Sequence, residues 1–162
     1  MKSHLILSDF GSAFSPSSPF QICLREQCQS PVPVLPPEAH RQPGRPLSFS
    51  VDNWTLACAL WEIFSFRPLF DATLATRDDI AAQQVDILGP LPAEWWGCWQ
   101  ARGEYFDEDG RPVNGRVVFP SLEDTFETDV QVARRKDNMG EFGTEEKEAF
   151  LGHAPPDVGL QT

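Results

Sequence analysis

The residues best suited to metal chemistry are four cysteines and three histidines, and their spacing does not form a zinc site. Cys23 and Cys28 are the one close pair, with four residues between them. A structural zinc site requires close pairs of Cys or His ligands twice over, and no histidine lies at ligand spacing from a cysteine. We therefore interpret Cys58 and Cys98 as small hydrophobic core residues and expect an intracellular, reducing compartment, cytoplasm or nucleus.

Aromatic residues form a second group that could do chemistry. Trp95, Trp96 and Trp99 place three indole rings within five residues, at positions i, i+1 and i+4. Such a group could form a binding platform for a ligand. Aromatic residues at helical spacing more often belong to a core, so packing is the prediction and binding is the alternative.

Acidic residues are concentrated in the later part of the chain. The formal net charge is −11, and residues 51–162 carry nine basic and twenty-one acidic side chains, a net charge of −12. This balance argues against nucleic acid as a partner, because phosphate contacts need a basic face. It suits either a basic partner or an ordinary solvated surface. An apolar stretch long enough to span a membrane does not occur, and the short apolar run near Met1 predicts no signal peptide.

The first fifty residues predict one strand and a long irregular segment. Leu5-Ile6-Leu7 predicts a short strand that runs into a turn at Asp9-Phe10-Gly11. Residues 15–50 contain eight prolines among many Ser and Gln, and we expect no regular element at that proline density. Loops of this length inside compact domains are usually functional or disordered.

The clearest helix prediction is Val51–Phe66, which lacks Gly and Pro and is apolar around most of its circumference. A helix of that kind is buried on most sides. Ser50 or Asp52 is expected to cap its start, and Pro68 lies just past its end. Asp52 is either such a capping residue or a functional one. Five large side chains are predicted to be inaccessible: Trp54, Leu56, Leu60, Trp61 and Ile63.

Further helices are predicted after residue 75. Thr76–Leu88 combines an N-cap at Thr76 with Asp79 three residues later, which imitates a capping box, and Gly89 follows its end. The remaining predictions are helices at Ala93–Arg102 and Thr144–Leu151, a short strand at Arg116–Phe119 and a disordered tail at 152–162. The acids in the first turn of Thr144–Leu151 favour a helix start there.

Three motifs at characteristic spacings resemble the second half of a eukaryotic protein kinase domain. Asp9-Phe10-Gly11 resembles the magnesium-binding Asp-Phe-Gly motif. Pro36-Pro37-Glu38, which begins 27 residues after Asp9, resembles the Ala-Pro-Glu end of the activation segment. Asp52-Asn53-Trp54, which begins 14 residues beyond Glu38, resembles the Asp-x-Trp start of the central buried helix. The three together are far more specific than any one of them.

Within the kinases, the chain is similar to the SR-protein kinase group, serine/threonine kinases that modify Arg/Ser-rich proteins. The similarity lies in the runs SDFGSAF, PVPVLPPEAH and SVDNWTLACALWEIFSFRPLF, and in Asp107–Val118, which looks like fungal members. It covers about residues 4–151. The chain departs from the family at Pro36, where Ala is common, and at Ala57, where Gly is common.

The resemblance implies a mainly α fold, a kinase C-lobe fragment with a short β-hairpin at the Asp-Phe-Gly end and an activation segment at 9–38. It implies that Asp9 holds the Mg²⁺ that bridges the ATP phosphates, with Phe10 packed beneath it and Gly11 turning the backbone. Glu38 would form a buried ion pair with an arginine of a later helix, and Asp52 and Trp54 would be structural. Four acids would dock a basic peptide: Asp71, Asp78, Asp79 and Asp86.

Several catalytic motifs of that family do not occur within these 162 residues: the Gly-rich loop, the Val-Ala-Ile-Lys strand and the His-Arg-Asp loop. We therefore predict a partial serine/threonine kinase whose lineage activity is ATP-dependent phosphorylation of protein Ser/Thr, inactive as written, with ATP and Mg²⁺ not bound productively. One alternative is a non-catalytic binding module for basic or Arg/Ser-rich peptides. Another is an incomplete gene model of an active kinase. Nucleic acid and membrane are not expected as partners.

Overall fold

The computed structural model describes residues 6, 8, 10–17, 22–73 and 75–152, and within these ranges the chain is mainly helical. No helix among these residues is long and apolar enough to cross a membrane. A π-helical stretch spans Phe126–Gln131, and 3-10 turns occur at Arg25–Gln27 and Val32–Val34. The α-helices are α1 Pro37–Arg41, α2 Phe49–Ser65, α3 Arg77–Leu88, α4 Ala93–Cys98, α5 Arg102–Tyr105, α6 Leu122–Thr125, α7 Val132–Lys136 and α8 Thr144–Gly152.

The β structure of the described ranges consists of two isolated antiparallel bridges, Leu24–Pro46 and Phe106–Pro112. The hairpin expected at the Asp-Phe-Gly turn is not confirmed, since Leu5, Leu7 and Asp9 lie outside the described residues. The strand predicted at Arg116–Phe119 is wrong, because that stretch is an irregular loop. Both ends of the stretch, the Arg116 guanidinium and the Phe119 backbone N–H, donate to the carboxylate of Asp86 on α3 instead of to a neighbouring strand.

The proline-rich segment before α2 is more regular than predicted. It contains both 3-10 turns and α1, so the expectation of no regular element in 15–50 is wrong. Pro37 is tolerated because it occupies the first turn of α1, where a missing backbone N–H costs nothing. Residues 23–25 lie beside residues 45–47: the Arg25 N–H donates to the Arg45 carbonyl at 2.9 Å, and the Leu47 N–H donates to the Cys23 carbonyl at 2.8 Å.

Helix α2 begins two residues before its predicted start, with Ser48 rather than Ser50 or Asp52 at the N-cap position. One face is buried: Val51, Trp54, Cys58, Trp61 and Ser65. Trp54 and Trp61 are inaccessible as predicted, but the prediction is wrong for three residues of the opposite face: Leu56 is 59% exposed, Leu60 38% and Ile63 64%. The described elements that contact α2 pack on its tryptophan face, and the described ranges provide no cover for the other face.

Helix α3 confirms the predicted capping box. The Thr76 hydroxyl oxygen accepts from the Asp79 N–H at 3.1 Å, and the Asp79 carboxylate accepts from the Thr76 N–H at 2.7 Å. Gly89 ends the helix with a φ of 97°, a conformation that favours glycine. Ile80 and Ile87 join the core around α2, while Ala81 and Ala82 pack with Trp99 and Phe106 in a second, smaller core.

The predicted helix 93–102 is broken into α4 and α5. Trp95 and Trp99 are buried and Trp96 is half-buried, which confirms packing as the main role of the tryptophans. Cys58 is buried as predicted, but Cys98 is exposed. The prediction fails for Cys98 because α4 ends there and the chain turns, so that Trp99 enters the core instead.

The helical region from α6 to α7 was not predicted from the sequence. The Ser121 hydroxyl oxygen accepts from the Asp124 N–H at 3.2 Å and starts α6. Leu122, Phe126 and Val130 are buried in the same core as Trp54 and Trp61. Their spacing of four residues, after a serine that can cap a helix, is the sequence pattern from which this helical region could have been predicted. Helix α8 is confirmed at Thr144–Gly152, and the rest of the predicted tail lies outside the described residues.

Candidate functional site

Asp52 lies at a cleft between the first turn of α2 and residues 12–14 and 22–30. The cleft has a volume of about 660 Å³, and its other walls include Ser12, Phe14, Cys23 and Cys28. The structure therefore brings Asp52 close to the residues that follow the Asp-Phe-Gly turn. Asp9 lies outside the described residues. Gly11 is exposed and Phe10 is 67% exposed.

Glu38 is buried on α1, only 3% exposed, and its carboxylate is directed to the start of α2. The Ser50 hydroxyl donates to Glu38 Oε1 at 2.8 Å, and the Ser48 hydroxyl lies 2.7 Å from that of Ser50. The ion pair with a later arginine is not present among the described residues. Arg25 interacts electrostatically with Glu38: burial lowers the pKa of Arg25, and the charge of Glu38 partly opposes that effect.

The basic end of α1 packs against α3 and Trp99. The Arg41 guanidinium lies over the Trp99 ring, 4.6 Å from its centroid, and the Trp99 indole N–H donates to Asp78 Oδ1 at 2.7 Å. Burial lowers the pKa of Arg41, and the charge of Asp78 opposes that shift. Burial also lowers the pKa of His40 to about 4, helped by the positive charges of Arg77 and Arg41. This contact fixes the end of α1 on α3.

All four acids expected to dock a basic peptide accept hydrogen bonds within the chain, and Asp78 and Asp86 accept them from residues distant in sequence. Asp78 accepts from Trp99, as above. Asp86 accepts from both terminal nitrogens of Arg116, at 2.6 and 2.7 Å, and from the Phe119 N–H at 3.1 Å. Sequence reasoning treated these acids as surface charges, because nothing in their local spacing signals partners 21 or 30 residues later in the chain.

Asp71 and Asp79 lie together at a second cleft of about 350 Å³, which Tyr105 and Arg116 also line. The pKa of Asp71 is lowered by hydrogen bonds from Thr73, whose backbone N–H donates at 2.8 Å. The pKa of Asp79 is lowered mainly by the Thr76 hydroxyl and backbone, and Tyr105 adds a hydrogen bond at 2.8 Å. Both carboxylates therefore remain ionised at neutral pH and present negative charge on one surface.

The magnesium site that the resemblance implies is not tested by the described residues. They contain no group of three metal-ligating side chains, and the cleft at Asp52 has that one carboxylate among its lining residues. Mg²⁺ bound with ATP phosphates is held by one or two carboxylates and needs near-octahedral geometry. Asp9, the residue that the resemblance assigns to magnesium, lies outside the described residues, so this assignment stays a prediction.

Comparison with known proteins gives a distant relationship to kinases. Serine/threonine protein kinases from two strains of Aspergillus fumigatus are each 28% identical to the chain over 103 residues. The match covers 57% of this chain and 26% of each relative, so the chain spans about a quarter of the length of the curated relatives it matches. No family model matches the chain. The similarity supports a kinase-like relationship without distinguishing the SR-protein kinase group.

Proposed function

We propose that these residues form the activation-segment and C-lobe part of a serine/threonine kinase-like domain of the SR-protein kinase type. The activity of a whole domain of this type is ATP-dependent phosphorylation of Ser/Thr in proteins. The observation that carries the proposal is the hydrogen bond from Ser50 to the buried Glu38, at 2.8 Å. It joins α1, which carries the Pro-Pro-Glu motif, to the first turn of α2, which carries the Asp-x-Trp motif. The spacing of these two motifs resembles that of the kinase family.

The 162 residues alone do not catalyse phosphoryl transfer in this proposal. Catalysis of that reaction consists almost entirely of positioning and charge stabilisation around the transferred phosphate. The Gly-rich loop, the ATP-binding lysine and the catalytic-loop aspartate supply those effects, and none of their motifs occurs in this sequence. Asp9 then contributes to chemistry only when another polypeptide segment supplies the rest of the site.

A chimera tests the proposal directly. Residues 4–151 replace the matching region of one of the Aspergillus fumigatus kinases, and the product is assayed with Mg-ATP and an Arg/Ser-repeat peptide. We expect phosphate incorporation by the chimera, loss of incorporation in the same chimera with Asp9→Ala, and none by the 162-residue chain alone. A chimera that folds cooperatively but transfers no phosphate would contradict the kinase assignment. Robust incorporation by the chain alone would contradict the proposed inactivity.

A second candidate function is docking of a basic peptide, favoured by the cleft that Asp71 and Asp79 share. Both carboxylates carry lowered pKa values, and the phenol ring of Tyr105 forms part of the same wall. An arginine side chain offers planar N–H donors for carboxylates and stacks on aromatic faces. The net charge of −12 over residues 51–162 adds long-range attraction for such a peptide. This function requires neither ATP nor metal.

A further inference from the structure

The chain contains three asparagines, and the structure places them in different surroundings. Asn53 lies inside α2, and Asn138 lies just after α7. Asn114 lies in the exposed loop before α6 and is the one asparagine that glycine follows. An asparagine loses its amide when the backbone nitrogen of the next residue attacks its side-chain carbonyl carbon. The surroundings of each asparagine therefore determine how readily its amide reacts.

The backbone nitrogen that makes this attack is hydrogen-bonded at two of the three positions. The Trp54 N–H, after Asn53, lies within the hydrogen-bonded ladder of α2. The Met139 N–H donates to the Arg134 carbonyl at 2.9 Å. A bonded N–H reacts only after the fold opens locally. The Gly115 N–H, in contrast, makes no hydrogen bond within the described part of the chain.

Gly115 also leaves room for the reaction. Its φ of 92° favours glycine, and a Cβ at this position would meet no atom within 4 Å. Asn114 and Gly115 are both exposed, and they form a turn outside any helix. The amide of Asn114 and the nitrogen of Gly115 can therefore approach each other by rotation in open solvent, without breaking a contact of the described residues.

We propose that Asn114-Gly115 is a site of spontaneous deamidation, with water as the co-reactant. The Gly115 nitrogen loses its proton and bonds to Asn114 Cγ, and the Cγ–NH2 bond breaks as the amide nitrogen takes up a proton and leaves as ammonia. Water then opens the resulting succinimide ring. Opening at Cγ gives aspartate, and opening at the backbone carbonyl carbon gives isoaspartate, whose main chain runs through Cγ. The reaction requires neither ATP nor metal and is independent of the proposed kinase-like function.

The isoaspartate product disturbs a loop that is anchored on both sides of the turn. Before the turn, the Val113 N–H donates to the Tyr105 carbonyl at 3.0 Å. After it, the Arg116 side chain donates to the same carbonyl at 2.9 Å and forms an ion pair with the buried Asp86. Isoaspartate adds a methylene to the main chain between these anchors. The anchors cannot all keep their positions, so the isoaspartate form should unfold at a lower urea concentration.

Deamidation is tested by incubating the folded and the urea-unfolded 162-residue chain side by side in slightly alkaline buffer. Peptide mass spectrometry follows the replacement of NH2 by OH at each asparagine. In the folded chain, Asn114 should react at least about tenfold faster than Asn53 and Asn138, whose following N–H groups are bonded. Unfolding should accelerate the reaction at Asn53 and Asn138 and change the rate at Asn114 by less than about twofold. The proposal is overturned if folding slows Asn114 strongly, or if the three asparagines react equally fast in the folded chain.

Variants test the effect on the loop. Asn114→Gln keeps an exposed amide but lengthens the side chain, which disfavours ring closure, and Asn138→Gln is the matched control that should still react at Asn114. Asn114→Asp reproduces the product's charge without the added methylene. We expect a lower urea midpoint for the incubated chain than for the fresh chain, and a midpoint like that of the fresh chain for incubated Asn114→Gln and fresh Asn114→Asp. An incubated chain that is rich in isoaspartate but has an unchanged midpoint would overturn the effect on the loop.

Discussion

Asp86 and Arg116 form a buried ion pair that ties α3 to the loop before α6. Their side chains are 3% and 13% exposed, and Arg116 Nη2 lies 2.6 Å from Asp86 Oδ1. A second bond from Arg116 Nη1 and one from the Phe119 N–H complete the carboxylate's contacts. The Arg116 guanidinium also lies 4.5 Å from the centroid of the Phe106 ring. The pair therefore holds an irregular loop of the smaller core in place without a β-ladder.

Removing one partner of this pair should be costly. Arg116→Ala leaves the Asp86 charge buried without its cation, and we expect a loss of about 3–5 kcal/mol in the free energy of unfolding. Urea denaturation measures it. The control is Arg111→Ala, whose ion pair with Asp109 is exposed on both sides and should contribute no more than about 1 kcal/mol. Similar losses in the two variants would show that burial does not determine how much the Asp86–Arg116 ion pair contributes to the free energy of unfolding.

Replacing isoleucine with alanine should cost much more stability at a buried position than at an exposed one. Ile80 is fully buried on α3, whereas Ile63 on α2 is 64% exposed. We expect Ile80→Ala to cost about 2–5 kcal/mol of unfolding free energy and Ile63→Ala to stay within about 0.5 kcal/mol. Both are read from the same urea titration. A large cost for Ile63→Ala in the 162-residue chain would mean that another surface covers that face in solution.

The sequence predicted those features that depend on neighbours along the chain. The capping box of Thr76 and Asp79, the stop at Gly89 and the position of α2 all follow from residues within one or two turns. The exposed face of α2 could not be predicted. Apolar residues all around a helix predict that other segments bury it, but they do not identify those segments. Long-range polar pairing was equally inaccessible from local patterns, which is why Asp86 was assigned to the surface although it bonds Arg116.

Stability should fall in mildly acidic solution because of His40. The pKa of His40 is about 4 in the folded chain, below the value of about 6.5 expected when unfolded. Between these values the unfolded state binds more protons. The contribution of His40 is therefore complete above about pH 6.5 and is lost as the pH falls toward 4.

We expect a lower urea midpoint at pH 5 than at pH 7, and a smaller difference in His40→Gln, which cannot titrate. Asp71 and Asp79 have pKa values lowered from 3.8 and so titrate below this window. An identical pH dependence in the chain and in His40→Gln would assign the effect to other groups.

Docking of a basic peptide should depend on Asp71 more cleanly than on its neighbours. Asp79 caps α3 and Asp78 holds Trp99, so substituting either disturbs the fold. Within the described part of the chain, the Asp71 carboxylate bonds only to Thr73. We expect Asp71→Asn to weaken binding of an Arg/Ser-repeat peptide about two- to fivefold at low salt, the value of one exposed ion pair. The loss should shrink near 0.15 M salt, where screening acts over about 8 Å.

Glu94→Gln makes the same charge change on α4, away from the cleft, and should bind like the unaltered chain in an anisotropy titration. Equal losses in the two variants would attribute binding to net charge alone, and no binding at low salt would remove the docking function.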